Sequence, residues 1–298
     1  MSKGKSIWLL GERGMLGRQI AVELQRRGLA FLASDREVDI ADFEALKFFS
    51  RGKTISWIIN CAAYTAVDHA ETDREGAFRV NARGAENLAR LAAGLGARLV
   101  HFSTDYVFDG AARRPYGERD EPRPLSQYGA SKWQGEKLLA ANWPAAFIFR
   151  VSWLYGVFGG NFVNTMLRLF AEKDAVRVVN DQFGSPTYAR GLARNIVRLV
   201  GSDSARFGLY HYCDSGVISW HDFAAAIMER ALEHNLLAKK ISLIAIPTAD
   251  FPTVAVRPAY AALDNRKVVS ELGFEVRDWR ANLNDFFAEK IQRASVPS

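Results

Sequence analysis

Short apolar runs recur through the first half of the chain, each followed by a stretch of mixed apolar and polar residues. They are Ile7-Trp8-Leu9-Leu10, Ala30-Phe31-Leu32-Ala33, Trp57-Ile58-Ile59-Asn60, Leu99-Val100-His101-Phe102 and Phe147-Ile148-Phe149. Runs this short and this apolar suit strands covered on both faces, and the helical periodicity between them supplies the crossovers. The alternation predicts an α/β fold with a Rossmann-like, doubly wound parallel sheet. Ligands of such sheets sit beyond the carboxyl ends of the strands, so Ala62-Ala63-Tyr64-Thr65, Ser103-Thr104-Asp105-Tyr106 and Ser152-Trp153 are expected to line one crevice.

The segment from Asp109 to Gln127, with Pro115, Pro122 and Pro124, predicts an irregular loop. After Gly156 the alternation weakens. The pattern predicts a helix near Phe162 to Glu172, a turn over Asn180-Asp181-Gln182-Phe183-Gly184-Ser185-Pro186, and apolar helices around Ala189 to Val200 and His221 to Leu236. Two units are therefore expected: a dinucleotide-binding domain over 1–155 and a smaller, mainly substrate-binding lobe over 156–298. The segment near 188–212 is free to return to the first domain, because Gly208-Leu209-Tyr210-His211 has the character of another strand.

Composition narrows the classes. Hydrophobic residues make up 49% of the 298, enough for a substantial core, yet no apolar run approaches the ~18 residues of a membrane span. The start Met1-Ser2-Lys3-Gly4-Lys5 has no apolar segment of the signal-peptide kind, so a cytoplasmic location is expected. The net charge of +6 comes from scattered residues without a dense basic block, which argues against nucleic-acid binding and suits an anionic small molecule. Cys61 and Cys213 have no metal-ligand spacing and read as structural thiols in a reducing compartment.

Candidate chemistry begins at Gly11-Glu12-Arg13-Gly14-Met15-Leu16-Gly17, between the first strand and its helix. Gly11 suits a tight turn, Gly14 a close approach of pyrophosphate to the backbone, and Gly17 close packing of helix on strand. The helix N-terminus would then hold the diphosphate. After the second strand, Asp35 suits the free ribose hydroxyl of NADH, whereas Ser34 and Arg36 suit the 2′-phosphate of NADPH; a turn with a salt-bridging arginine explains Arg36 equally well. NADPH is placed ahead and NADH stays open. Tyr128 and Lys132 lie four residues apart, which puts a phenol and an ammonium on one helix face. A nearby cation favours the phenolate and makes the tyrosine an acid-base candidate, although a solvated helix face has the same spacing.

Several longer segments carry a resemblance. They are Asn60-Cys61-Ala62-Ala63-Tyr64-Thr65-Ala66-Val67-Asp68, Ser103-Thr104-Asp105-Tyr106-Val107-Phe108-Asp109-Gly110, the Tyr128 helix, Arg150-Val151-Ser152-Trp153-Leu154-Tyr155-Gly156 and Val179-Asn180-Asp181-Gln182-Phe183-Gly184-Ser185-Pro186-Thr187. Over almost its whole length the chain resembles the dTDP-4-dehydrorhamnose reductase family, within the extended short-chain dehydrogenase/reductase superfamily. The resemblance implies reduction of the C4 ketone of dTDP-4-dehydro-β-L-rhamnose by nicotinamide hydride, giving dTDP-L-rhamnose for cell-surface polysaccharide such as lipopolysaccharide O-antigen. It implies that Tyr128 protonates the ketone oxygen, that Lys132 holds the cofactor ribose and depresses the tyrosine pKa, and that Thr104 hydrogen-bonds the same oxygen or the phenol.

For the cofactor the resemblance implies Arg13, Gly14 and Met15 at the turn, Asp39 and Ile40 beside the adenine, and Ala63, Tyr64 and Thr65 along the nicotinamide half. For the sugar nucleotide it implies Thr104, Asp105 and Trp153, with Asn161, Gln182 and Arg257 near the base or diphosphate. Plainer roles compete: a strand-end cap for Thr104, a helix N-cap for Asp39, a core position for Trp153 and a surface position for Arg257. Some family members hold magnesium between subunits with glutamates, whereas this chain places Met15, Arg190 and Gln292 at those positions. No structural magnesium is expected, and the chain should be a monomer or weak homodimer. Two other readings are an NAD-retaining sugar-nucleotide dehydratase or epimerase and a non-catalytic nucleotide-binding regulatory subunit. Tyr106, where dehydratases carry a glutamate, argues against the first; the Thr104, Tyr128 and Lys132 set argues against the second.

Overall fold

The five apolar runs, one shifted by a residue and the others extended by one to three, are strands of one sheet in the computed structural model, which describes residues 6–202 and 204–294. They are β1 (Ser6–Leu10), β2 (Phe31–Ser34), β3 (Ile55–Asn60), β4 (Arg98–Thr104) and β5 (Ala146–Val151). A sixth strand, Gly208–Tyr212, completes the sheet, in the order Gly208–Tyr212, β5, β4, β3, β1, β2. Every pairing is parallel, with Leu9 opposite Ile59 on one side and Ala33 on the other. β1 lies between β2 and β3, so sheet growth reverses there and opens a crevice at its carboxyl end.

Alternate residues cover the two faces. Leu9, Ile59, Val100 and Phe149 pack under α1 (Met15–Arg26) and the helix Ala189–Val200. Trp8, Leu10, Ile58, Leu99 and Ile148 pack on the opposite face, against α2 (Phe43–Ser50), a long helix following β3, and α5 (Gln127–Asn142). That long helix runs as α3 (Arg74–Phe78), one π turn (Arg79–Arg83) and α4 (Gly84–Leu95). α5 is anchored by Ser126, whose hydroxyl accepts from the Gly129 amide at 3.1 Å. It lies against the π turn at Gly135, where a Cβ would stand 2.1 Å from the Asn81 carbonyl oxygen.

A second core gathers Tyr155, Phe223 and Phe286 among the helices Phe162–Glu172, Trp220–Glu233 and Trp279–Ala294. It also covers a parallel strand pair, Ala175–Val179 with Ser242–Ile246. The helix Ala189–Val200 and the strand Gly208–Tyr212 belong to the sheet core. No described helix is long and apolar enough to cross a membrane.

Candidate active site

The turn after β1 shapes the crevice. Gly11 has φ 72°, and a Cβ there would meet the Ala62 amide nitrogen at 2.6 Å. At Gly17 it would stand 2.1 Å from the Gly11 carbonyl oxygen, so α1 closes directly onto the turn. Gly14 caps α1 without any side-chain hydrogen bond, leaving the positive end of a twelve-residue helix directed at the crevice.

A cavity of about 720 Å³ opens here, within the size range of sites for small molecules and cofactors. Gly11, Arg13 and Gly14 line its turn, Asp35 and Arg36 its far end, Asp39 and Ile40 one wall, and Ala63 and Tyr64 the other. These residues fit a dinucleotide: a glycine turn and helix end for diphosphate, and polar groups after β2 for a ribose. Of the other turn residues, Gly17 is buried behind Gly11, and Met15 turns its side chain toward Gly156 and Asn161. Thr65 is exposed and outside the lining. The lining also includes Ala62, as the strand-end reading expected, together with Cys61 and Arg79, which sequence reasoning did not nominate.

Two readings of the adenosine end change. Ser34 is buried and its hydroxyl accepts from the Trp8 indole at 2.8 Å, so it is not available to a 2′-phosphate. Asp39 does not cap α2; Asp42 does, accepting from the amides of Glu44 and Ala45 at 2.9 and 3.1 Å. Asp39 instead pairs with Arg79, whose guanidinium holds its carboxyl below the usual range although burial works the other way. The Asp35 carboxylate accepts from the amides of Arg13 and Arg36, both at 2.9 Å, which leaves the exposed Arg36 side chain on the rim.

The candidate acid-base group stands beyond the carboxyl end of β4. Thr104 is the last residue of β4, and its hydroxyl donates to Asp105 Oδ1 at 3.0 Å and accepts from the Tyr106 amide at 3.2 Å. Tyr128, in the first turn of α5, has its phenol beside Thr104 and meets the Tyr106 ring edge-on at 5.7 Å. Burial pushes its phenol up to about 12, with the Thr104 hydrogen bond pulling down and Asp105 adding to the rise. Lys132 is buried one turn deeper, where its ammonium donates to the Phe102 carbonyl oxygen at 2.6 Å. Burial brings it down to about 8 against the opposing pull of Glu136. The expected depression of the tyrosine by the lysine is therefore absent: the ammonium is engaged by a carbonyl, and desolvation governs the phenol.

Asn81, in the π turn, was missed by sequence reasoning. Its amide donates to Ser131 Oγ at 2.9 Å and to the Tyr64 carbonyl at 3.0 Å, and accepts from the Tyr64 amide at 2.9 Å. It ties the cavity wall to the helix bearing Tyr128 and Lys132. A single asparagine within a helical pattern carries no sequence signal for this; only the helix packing does.

The remaining candidates divide. Asp105 is buried at the strand end, and Trp153, at φ 44°, stacks on Trp220 with 3.5 Å between ring centroids. Arg257 is not a free surface residue: it forms a two-armed pair with Asp68 at 2.6 and 3.0 Å. Gln182 is buried and donates to Thr248 Oγ1 at 3.1 Å. Asn161 caps the helix Phe162–Glu172, accepting from the Asn164 amide at 3.1 Å and donating to the Gly156 carbonyl at 2.8 Å. Its amide is thus committed to local structure, which removes the groups proposed for base or diphosphate. Arg190 faces Glu289 at 3.6 Å, and among the described residues no cluster of three or more His, Cys, Asp or Glu could hold a metal. Burial raises the thiols of Cys61 and Cys213, the latter to about 11, so neither is a ready thiolate.

A doubly wound sheet, a glycine turn at its switch point and a Thr, Tyr and Lys set beside the crevice define a nucleotide-binding oxidoreductase of the extended short-chain class. The chain belongs to the family described as RmlD substrate binding domain, whose model matches residues 5–291. It is 39% identical over 286 residues to a dTDP-4-dehydrorhamnose reductase of Aggregatibacter actinomycetemcomitans, covering 94% of this chain and 97% of that protein. It is 35% identical to the spore coat polysaccharide biosynthesis protein SpsK of Bacillus subtilis, covering 95% of this chain and 97% of that protein. A crystal structure of the Bacillus anthracis dTDP-4-dehydrorhamnose reductase in complex with NADP matches with a TM-score of 0.90 and 36% identity, over 96% of this chain and 99% of that one.

Proposed function

We propose that the chain reduces the C4 ketone of dTDP-4-dehydro-β-L-rhamnose to dTDP-L-rhamnose, a precursor of cell-surface polysaccharide, with NADPH as the preferred reductant and NADH as the alternative. The observation that carries this reading is the Thr104, Tyr128 and Lys132 set beside a dinucleotide-sized cavity, in a chain whose relatives bear the reductase name. When bound, the nicotinamide supplies hydride to the ketone carbon. Tyr128 gives its proton to the ketone oxygen, and its raised pKa keeps that proton in place until negative charge develops on the oxygen. Thr104 hydrogen-bonds the phenol, and Lys132 binds the cofactor ribose. Gly11, Arg13, Gly14 and the Met15 amide hold the diphosphate; Asp39, Ile40, Ala63, Tyr64 and Thr65 flank the rest of the cofactor, with Gly17 keeping α1 in place. Asp105, Trp153, Gln182 and Arg257 flank the sugar nucleotide.

We assign 1–155 to the cofactor domain and 156–298 mainly to the substrate lobe, with the segment near 188–212 working with the first. The protein acts in the cytoplasm, as a monomer or weak homodimer. The test is loss of NADPH or NADH absorbance with dTDP-4-dehydro-L-rhamnose generated in situ. Tyr128→Phe is expected to lower kcat about 10³-fold while nucleotide binding persists. Nucleotide binding without turnover in the unaltered protein would instead support a regulatory subunit.

A further inference from the structure

Once Tyr128 has given its proton to the ketone oxygen, the phenolate must regain one before the next turnover. Lys132 is poorly placed to supply it, because its ammonium is turned to the Phe102 carbonyl. The groups that do lead from the phenol are Thr104, whose side chain stands beside Tyr128, and Asp105, whose Oδ1 lies 3.0 Å from the Thr104 hydroxyl. Asp105 is 2% exposed, and its Oδ2 is buried with no hydrogen-bond partner among the described residues. A carboxylate in that position would hold an uncompensated charge, so the neutral acid is favoured.

We propose that Asp105 is the proton reserve of Tyr128, delivering its proton through the Thr104 hydroxyl. This deepens the proposed function and rests on it. The protons balance in three transfers. The Tyr128 O–H bond breaks as the alcohol O–H of the reduced sugar forms. The Thr104 O–H breaks as that of Tyr128 re-forms, and the Asp105 O–H breaks as that of Thr104 re-forms. Asp105 then recovers one proton from solvent after product leaves. No electrons move in these steps; the two that reduce the ketone come with the nicotinamide hydride. The charged and titratable groups around Asp105 are Tyr106 on its own turn, Tyr128 on α5, and, beyond Tyr106, Arg257 paired with Asp68. None of them forms an ion pair with Asp105. Burial raises its carboxyl to about 7, the range in which it can both give and recover a proton near neutrality.

The experiment has a binding-independent arm and a kinetic arm. In carboxyl-¹³C NMR of the protein without ligands, the resonance lost in Asp105→Asn is expected to titrate near 7; a resonance already ionised at about pH 5 would overturn the proposal. In kinetics, reduction needs the protonated acid, so the wild-type kcat should fall above about 7. Asp105→Asn should lower kcat about 10²-fold, whatever it does to KM, and abolish that limb. Thr104→Val should do the same, and the double variant should be no worse than either alone. A wild-type kcat that is level through neutrality overturns the relay without recourse to any variant, as does an Asp105→Asn protein that loses only KM. Absence of wild-type turnover would instead count against the proposed function, and the NMR arm still reads the acid.

Discussion

Burial decides what the individual site residues can do more than their nearest charges do. Tyr128 and Lys132 share a helix face as their spacing implies, yet desolvation moves both toward neutrality, the phenol up to about 12 and the ammonium down to about 8. At the adenosine end, Ser34 is tied to Trp8 and Asp35 to two backbone amides, so Arg36 is the group best placed to meet a 2′-phosphate. A charge-assisted bond of that kind contributes about 1.5–3 kcal/mol. Arg36→Ala is therefore expected to weaken NADPH binding by roughly ten- to a hundredfold and to leave NADH binding nearly unchanged, as read by nucleotide fluorescence titration. Equal loss for both nucleotides would show that Arg36 does not discriminate between them.

At the scale of elements, α5 is held to the sheet by buried polar groups as well as by packing. Glu136, one turn beyond Lys132, receives Arg150 of β5 at 2.6 and 2.9 Å and a bond from Ser103 of β4, while Arg150 also reaches His211 of the edge strand at 3.4 Å. His211 is kept neutral, brought down to about 3 by burial and by the arginine beside it. The network joins the helix that carries Tyr128 to three neighbouring strands, so it fixes where the phenol stands. Glu136→Gln leaves the Arg150 charge buried without its counterion, and removing one partner of such a pair costs about 3–5 kcal/mol. Urea unfolding should show that loss, a large share of the total stability of an ordinary domain.

For the whole molecule, two buried carboxyls set an unusual pH dependence. Asp214 has Oδ1 without a partner among the described residues and is raised to about 8, chiefly by burial; Asp105 is raised to about 7. Unfolded, each would release its proton near 3.8. Between that value and its raised one, the native state holds more protons than the unfolded state, so stability falls as pH rises, by up to ~1.4 kcal/mol per pH unit for each group. Asp214→Asn should remove the part of the slope that extends to about 8 and leave that of Asp105, as urea midpoints at several pH values would reveal. EDTA is expected to change neither turnover nor sedimentation; loss of either would reveal a metal that Met15, Arg190 and Gln292 do not explain. The strand runs, the glycine turn and the Tyr128 to Lys132 spacing were legible because periodicity and local turn geometry are properties of neighbouring residues. The same local rules nominated Gly11, Gly14, Asp35, Arg36, Ala62, Ala63 and Tyr64 of the cavity lining, since in a doubly wound sheet the ends of known strands share one crevice, while Arg13, Asp39 and Ile40 came from the family resemblance. What the chain's order alone determined is therefore the class of fold and the candidates for the reacting groups. Tertiary structure alone decided that Asn81 joins the cavity wall to the helix bearing Tyr128, that Asn161 is spent on a cap, that Arg257 is paired with Asp68, and that the Lys132 ammonium is held by the Phe102 carbonyl. These depend on contacts between segments far apart in sequence, and on the desolvation those contacts impose, which no local pattern encodes.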